Sequence, residues 1–319
     1  MISPTLPGSE RSFGTVLSER RPWHRSVRYP LARLAIAMLV LVSAPALAQG
    51  GSEPLEPQGR FEAFRIFAPQ LDRDRDIIVY LPPGYDDAQA EHYPVAYFQD
   101  GQNVFDRRFF AGRWLDVPRE RSWSADLAAD ARAAAGCPLI IVAIVSEASR
   151  AKDYVPFDIA ANGFASNAPA YAAFLVETLK PHVDAAYRTR PEATATAAIG
   201  SSFGAIFSLY LGFTHPTVFN FVGALSPSVD VGGGAIRTWL EAHPAPDVRV
   251  YLDIGTAEAP PEADLANAFQ RFAAFLTSLG NDVTLVVADG APHHESAWSV
   301  RLPDVLATFC TSEPRPAYP

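Results

Sequence analysis

The chain has 319 residues, 49% hydrophobic and 19% charged, a composition that excludes a disordered polymer and suits one large domain or two small ones. Its 26 basic and 35 acidic side chains give a net charge of −9, a poor match to phosphate backbones, so no nucleic-acid partner is expected. Two cysteines, Cys137 and Cys310, lack C-x-x-C spacing, which argues against zinc or thioredoxin-like chemistry.

The N-terminus has its own pattern. Arg20, Arg21, Arg25, Arg28 and Arg33 precede the apolar run Leu34 to Val42, and small residues stand at Ala46 and Ala48. A basic segment, a short apolar core and an A-x-A end read as a secretory signal over residues 1–48. Nine apolar residues are too few to cross a bilayer, so no membrane partner is expected once the signal is removed. Export to the periplasm or medium is the consequence. Without residues 1–48 the chain keeps 20 basic and 33 acidic residues, net −13. The Gly/Pro/Glu-rich residues 49–59 read as a tether.

Strands and helices then alternate. Residues 60–68 and 75–82 read as paired antiparallel strands, and "PPGYDD" at the end of the second is a turn by its Pro and Gly. Residues 93–100 and 138–145 are strands with near-continuous apolar runs, the pattern of burial on both faces. Between them, 124–135 is helical by its alanine content, with Ser124 placed to cap it. The segment 146–167 reads as irregular. A helix runs through "YAAFLVETLKPHVDAAY", a strand over 195–200 and a helix over 203–213. Strands at 219–226, 249–255 and 282–289 alternate with helices at 234–242, 261–279 and 296–309. Such alternation implies an α/β fold: a mostly parallel central sheet that starts antiparallel, helices on both faces, and one domain over residues 60–313.

One serine fits the G-x-S-x-G frame: Ser202, between Gly200 and Gly204. It closes an apolar strand and opens a helix, the context of a nucleophile elbow. The competing reading is a Ser/Gly turn whose hydroxyls cap the helix. A serine hydroxyl needs a base within reach. His293 and His294 lie after the last strand, on a loop at the carboxyl ends of the strands, where ligands of such sheets bind. The spacing "HHE" does not fit a metal site of the H-E-x-x-H kind, and no metal or cofactor is implied. For the acid, Glu258 stands just past the strand "VRVYLDIG"; Asp253 sits within that strand, and Asp264 on the next helix. The Phe203 N–H is the natural first oxyanion donor, and the Gln102 N–H, in the loop "QDGQNVFD", the second.

With these residues in place, the sequence resembles the "Putative esterase" family of α/β-hydrolases, which includes feruloyl and acetylxylan esterases, enterobactin esterases, esterase D and the mycolyltransferases. The matching segments are "VYLPPGYD", "YPVAYFQDGQNVFD", "RAKDYVPFD", "IGSSFGAIFSLY", "YLDIGTAE" and "HHESAWSVRLPDVL". The resemblance implies Ser202 as nucleophile, His293 as base, Glu258 as acid, and Phe203 with Gln102 as the oxyanion pair. Ala205 stands where the family often has a second glycine, and His294 where asparagine is common. The resemblance further places Arg150, Asp153 and Tyr154 at the pocket rim; the competing reading of these residues is a structural Arg–carboxylate pair. It puts the first and last helices on one face of the sheet, from which a Cys137–Cys310 disulfide is expected at the end opposite the site. The implied function is secreted serine-ester hydrolysis through an acyl-enzyme, on a small-molecule or glycan-linked ester such as a feruloyl or acetyl sugar ester or a siderophore-type ester. An acyltransferase on the same site and an exported binding protein are the alternatives.

Overall fold

The computed structural model describes residues 56–110, 112–159 and 163–311, so the expected signal segment and most of the tether lie outside the described residues. The elements below belong to the unit formed by residues 52–319.

In chain order the strands are β1 (Arg60–Ala68), β2 (Arg73–Leu81), β3 (Val95–Phe98), β4 (Arg107–Phe110), β5 (Arg113–Asp116), β6 (Ile140–Ile144), β7 (Thr196–Ser201), β8 (Phe221–Leu225), β9 (Arg249–Gly255) and β10 (Asp282–Ala288). The helices are α1 (Ala125–Ala134), α2 (Arg150–Tyr154), α3 (Ala168–Ala173), α4 (Lys180–Ala186), α5 (Phe203–Thr214), α6 (Val231–Ala242), α7 (Leu265–Ser278) and α8 (Glu295–Cys310). A π-helical stretch, Phe174–Leu179, joins α3 to α4. Eight strands form one sheet in the order β1-β2-β6-β3-β7-β8-β9-β10. The pairs β1/β2 and β2/β6 are antiparallel. Every other pair in that sheet is parallel.

The doubly apolar strands explain the layers. In β2, Ile77, Val79 and Leu81 pack on one face with Tyr171, Phe174 and Leu179. Ile78 and Tyr80 pack on the other with Trp298, Leu302 and Val305. Successive side chains of a strand point to opposite faces, so one strand serves both cores. Each such fully buried side chain contributes about 1.5–3 kcal/mol. The apolar helix α5 is buried almost throughout beneath β7 and β8. Helices α1 and α8 cover the same face, and Cys137 is disulfide-bonded to Cys310 with their Cα atoms 6.2 Å apart. Cys137 precedes β6, which places the bond at the amino ends of the parallel strands, away from the carboxyl ends.

The structure adds to or differs from the sequence reading at four places. Ser124 does not cap α1: it lies in the left-handed region at φ 46°, and its hydroxyl donates to Asp106 Oδ1 at 2.9 Å. The segment 146–167 contains the short helix α2. Residues 107–116 form a separate hairpin, β4–β5, where the sequence pattern gave no strand. Gln58 and Gly59, expected within the tether, are bonded to the fold: the Gln58 N–H donates to Asp130 and the Gly59 N–H to the Tyr80 hydroxyl, each at 2.7 Å.

Candidate active site

Ser202 sits between β7 and α5 with φ 57° and ψ −121°, a conformation that a non-glycine residue adopts only under constraint, at about 1–3 kcal/mol. The constraint is visible. The Ser202 N–H donates to the Leu225 carbonyl at 3.0 Å, tying the bend to the end of β8. A Cβ at Gly200 would lie 2.5 Å from the Gly204 carbonyl group, so only glycine lets strand and helix approach this closely. As first residue of α5, Phe203 has no helical acceptor for its N–H, which leaves that donor at the bend.

The loops after β9 and β10 meet beside it. A single 3₁₀ turn, Thr256–Glu258, presents Glu258 just past β9. The Ala257 N–H donates to the Ala291 carbonyl at 3.2 Å, joining the acid's loop to the histidine's. A Cβ at Gly255 would lie 2.1 Å from that same carbonyl oxygen. Across this junction His293 Nδ1 is 2.7 Å from Glu258 Oε2. An ionised carboxylate only accepts, so Nδ1 donates to it, and in the neutral imidazole Nε2 is the nitrogen with a free lone pair. Burial alone would push the Glu258 carboxyl up; hydrogen bonds from His293, from the Ser226 hydroxyl and from the Gly255 N–H together outweigh it and hold the group below its ordinary value.

This geometry separates the adjacent histidines. His294 caps α8, with its Nδ1 accepting from the Ser296 N–H, and its ring is exposed. His293 pairs with Glu258. The alternative acids also separate. Asp253 is fully buried in an ion pair with Arg301 (2.8 Å), and Asp264 caps α7.

A cavity of about 410 Å³ at the carboxyl ends of the strands is lined by Ser202, His293, Gln102, Asn103, Arg150, Glu295 and Trp298 among others. Ser202 and His293 therefore face one space. Among the described residues the Ser202 hydroxyl has one hydrogen-bond partner, Ser228 Oγ at 3.2 Å. No hydrogen bond joins the Ser202 hydroxyl to His293 among the described residues, and catalytic hydrogen bonds are often long or unformed in unliganded sites.

The Gln102 loop is held from two sides. The Gln102 amide donates to Ser146 Oγ at 2.9 Å and accepts from the Ser146 N–H at 3.0 Å. Arg150 forms a two-pronged pair with Asp100, both contacts at 2.6 Å, and lies over the Tyr154 and Phe203 rings. Arg150 lines the cavity wall. Asp153 and Tyr154 do not stand at the rim: each is 1% exposed. Asp153 takes hydrogen bonds from Arg73, Arg75 and Ser149, pinning α2 to β2. The Tyr154 hydroxyl accepts from the Asp100 N–H at 3.0 Å and supports the loop from beneath. Charged and hydroxyl groups at such depth are stable only with partners, which is what draws both inward.

Sequence reasoning missed Ser226 and Ser228, which touch Glu258 and Ser202 respectively. Their signal was present in "LSPS" at the carboxyl end of β8, a position where ligand-facing groups collect.

A parallel sheet wound with helices, a serine on a strained strand–helix bend and an imidazole–carboxylate pair on the last two loops together define an α/β-hydrolase-type serine hydrolase. The family model described as "Putative esterase" matches residues 68–309, and the chain belongs to that family; it is an esterase. Among curated proteins, uncharacterized protein YbbA of Bacillus subtilis is 20% identical over 190 residues, 58% of this chain and 69% of that protein. YjcH of the same organism is 27% identical over 204 residues, 63% of this chain and 74% of its own. Among solved structures, a ferulic acid esterase matches with TM-score 0.57 at 19% identity, over 79% of this chain and 99% of that one. An IroE-like serine hydrolase from Shewanella oneidensis matches with TM-score 0.61 at 20% identity, over 77% and 79%. The enterobactin esterase FES from Shigella flexneri matches with TM-score 0.57 at 19% identity, over 81% of this chain and 61% of that one. At these identities the likeness establishes a shared fold.

Proposed function

We propose that the chain is an exported serine carboxylic-ester hydrolase that works through an acyl-enzyme on Ser202. The observation that carries the reading is the shared cavity of Ser202 and the His293–Glu258 pair. His293 Nε2 takes the hydroxyl proton as Ser202 Oγ attacks the ester carbonyl. The Phe203 and Gln102 N–H groups hold the oxyanion, each contributing about 3 kcal/mol. The C–O bond to the alcohol breaks, and His293 returns the proton to the leaving oxygen. Water, deprotonated by the same imidazole, then splits the acyl-enzyme and restores Ser202. Glu258 keeps the imidazole in the tautomer this cycle needs.

Export is supported by the Cys137–Cys310 disulfide, a bond suited to oxidising compartments. The cavity offers amide, guanidinium and carboxylate groups beside Trp298, which suits a hydroxylated aryl or sugar ester. The similar solved proteins named for ferulic acid and enterobactin point to the same substrate classes. In the test, Ser202→Ala lowers kcat on p-nitrophenyl acetate by about 10⁴-fold or more, with Tm within a few degrees of the parent. Unchanged turnover would remove the reading.

A further inference from the structure

The β8 end carries a hydroxyl whose hydrogen bonds are all assigned by its neighbours. Ser226 Oγ receives the Trp298 indole N–H at 2.9 Å and an Arg301 N–H from Nη2 at 3.0 Å. Its third partner is Glu258 Oε1 at 2.6 Å. A serine hydroxyl has one proton and two lone pairs, while indole and guanidinium groups only donate. With both lone pairs filled, the proton has one destination, the Glu258 carboxylate. We propose that Ser226 is a positioning residue of the catalytic machinery, its proton committed to Glu258 by Trp298 and Arg301. This inference rests on the Ser202–His293–Glu258 reading above.

The surroundings fix this arrangement in place. Arg301 is held by Asp253 at 2.8 and 3.2 Å, and Asp253 Oδ1 accepts the Ser226 N–H at 2.9 Å. Ser226 itself lies at φ 45°, a left-handed conformation maintained by these bonds. On the other side, Glu258 Oε1 accepts from Ser226 and from the Gly255 N–H at 2.7 Å. Oε1 is thereby saturated, and Oε2 is the oxygen left for His293. A chain of partners thus runs Asp253, Arg301, Ser226, Glu258, His293. Its two donors to Ser226 come from α8, the helix that begins two residues after His293. Trp298 also meets the His293 ring edge-on, with centroids 5.0 Å apart. One helix therefore sets the orientation of the acid and borders the base.

The test is a double-mutant comparison on p-nitrophenyl acetate. Ser226→Ala and Trp298→Phe are each made in the parent and in a Glu258→Gln background. A residue that acts through Glu258 loses its effect once Glu258 is changed. Ser226→Ala is expected to lower kcat about 10- to 100-fold in the parent, with KM little altered, by analogy with outer partners of other catalytic groups. In the Glu258→Gln background the same change is expected to cost less than about threefold. Trp298→Phe keeps a ring in place and removes the N–H; it should show the same pattern at about three- to tenfold. Because Ser226 is 1% exposed, the Trp298 comparison decides the matter should Ser226→Ala fail to fold. Equal losses in both backgrounds would show a purely structural role and overturn the proposal, while the triad reading stands. A Glu258→Gln enzyme with full kcat would overturn the triad reading and this proposal with it.

Discussion

The two ends of the sheet are built on opposite principles. At the carboxyl end, Asp100, Ser202 and Ser226 all have positive φ, three of the seven such non-glycine residues described. Asp100 is held by Arg150 and Tyr154 of α2, Ser202 by the Leu225 carbonyl at the end of β8, and Ser226 by Asp253 of β9 with Trp298 and Arg301 of α8. At the amino end, the Cys137–Cys310 bond joins the helix pair α1 and α8. The carboxyl end thus holds three backbones at positive φ, while the amino end is tied by a covalent bond. Helix α8 links the two, with the residues that border the proposed base at its start and the disulfide at its close.

That contrast can be broken at either end. The largest stability effect belongs to the amino end. Replacing both cysteines by serine frees a 173-residue separation and should cost about 5 kcal/mol in chemical unfolding, while kcat on a soluble ester stays at the parent value. A parallel loss of kcat would mean that the two ends are not independent.

A smaller effect sharpens the account of α1. Asp126 is buried there with one unpartnered oxygen, and burial, aided by the Asp106 charge, pushes its carboxyl up to about 6 from an ordinary 3.8. The folded state therefore binds the proton more tightly than the unfolded chain. This favours folding at low pH, and the benefit is lost as pH rises from about 4 through about 6. Asp126→Asn should thus raise Tm by about 2–6 °C at pH 8, with the gain shrinking toward pH 4. A gain that is constant with pH would assign the effect to something other than ionisation.

Much of this was legible in the sequence because it is local. Apolar runs set the buried strands, alanine and Gly/Pro positions set most helices, and G-S-S-F-G marked the bend. Non-local pairing was legible only where the family resemblance supplied it, as for the Cys137–Cys310 bond. The resemblance puts Asp153 at the pocket rim, and nothing local in the sequence names the Arg73 and Arg75 side chains of β2 that bind it instead. His293 is set apart by Glu258, which lies 35 residues away, while His294 caps α8 through the Ser296 N–H. The hairpin β4–β5 has four-residue strands rich in arginine, too short and too polar to show alternation. Ser226 is invisible alone; its meaning comes from an indole and a guanidinium supplied by the last helix.

The most direct measurement is active-site titration with a fluorophosphonate, followed by peptide mass mapping. One adduct per chain is expected, on the peptide that carries Ser202, formed at least about 10²-fold more slowly in His293→Ala. Labelling that maps to another residue, or that proceeds at the parent rate without the imidazole, would contradict it.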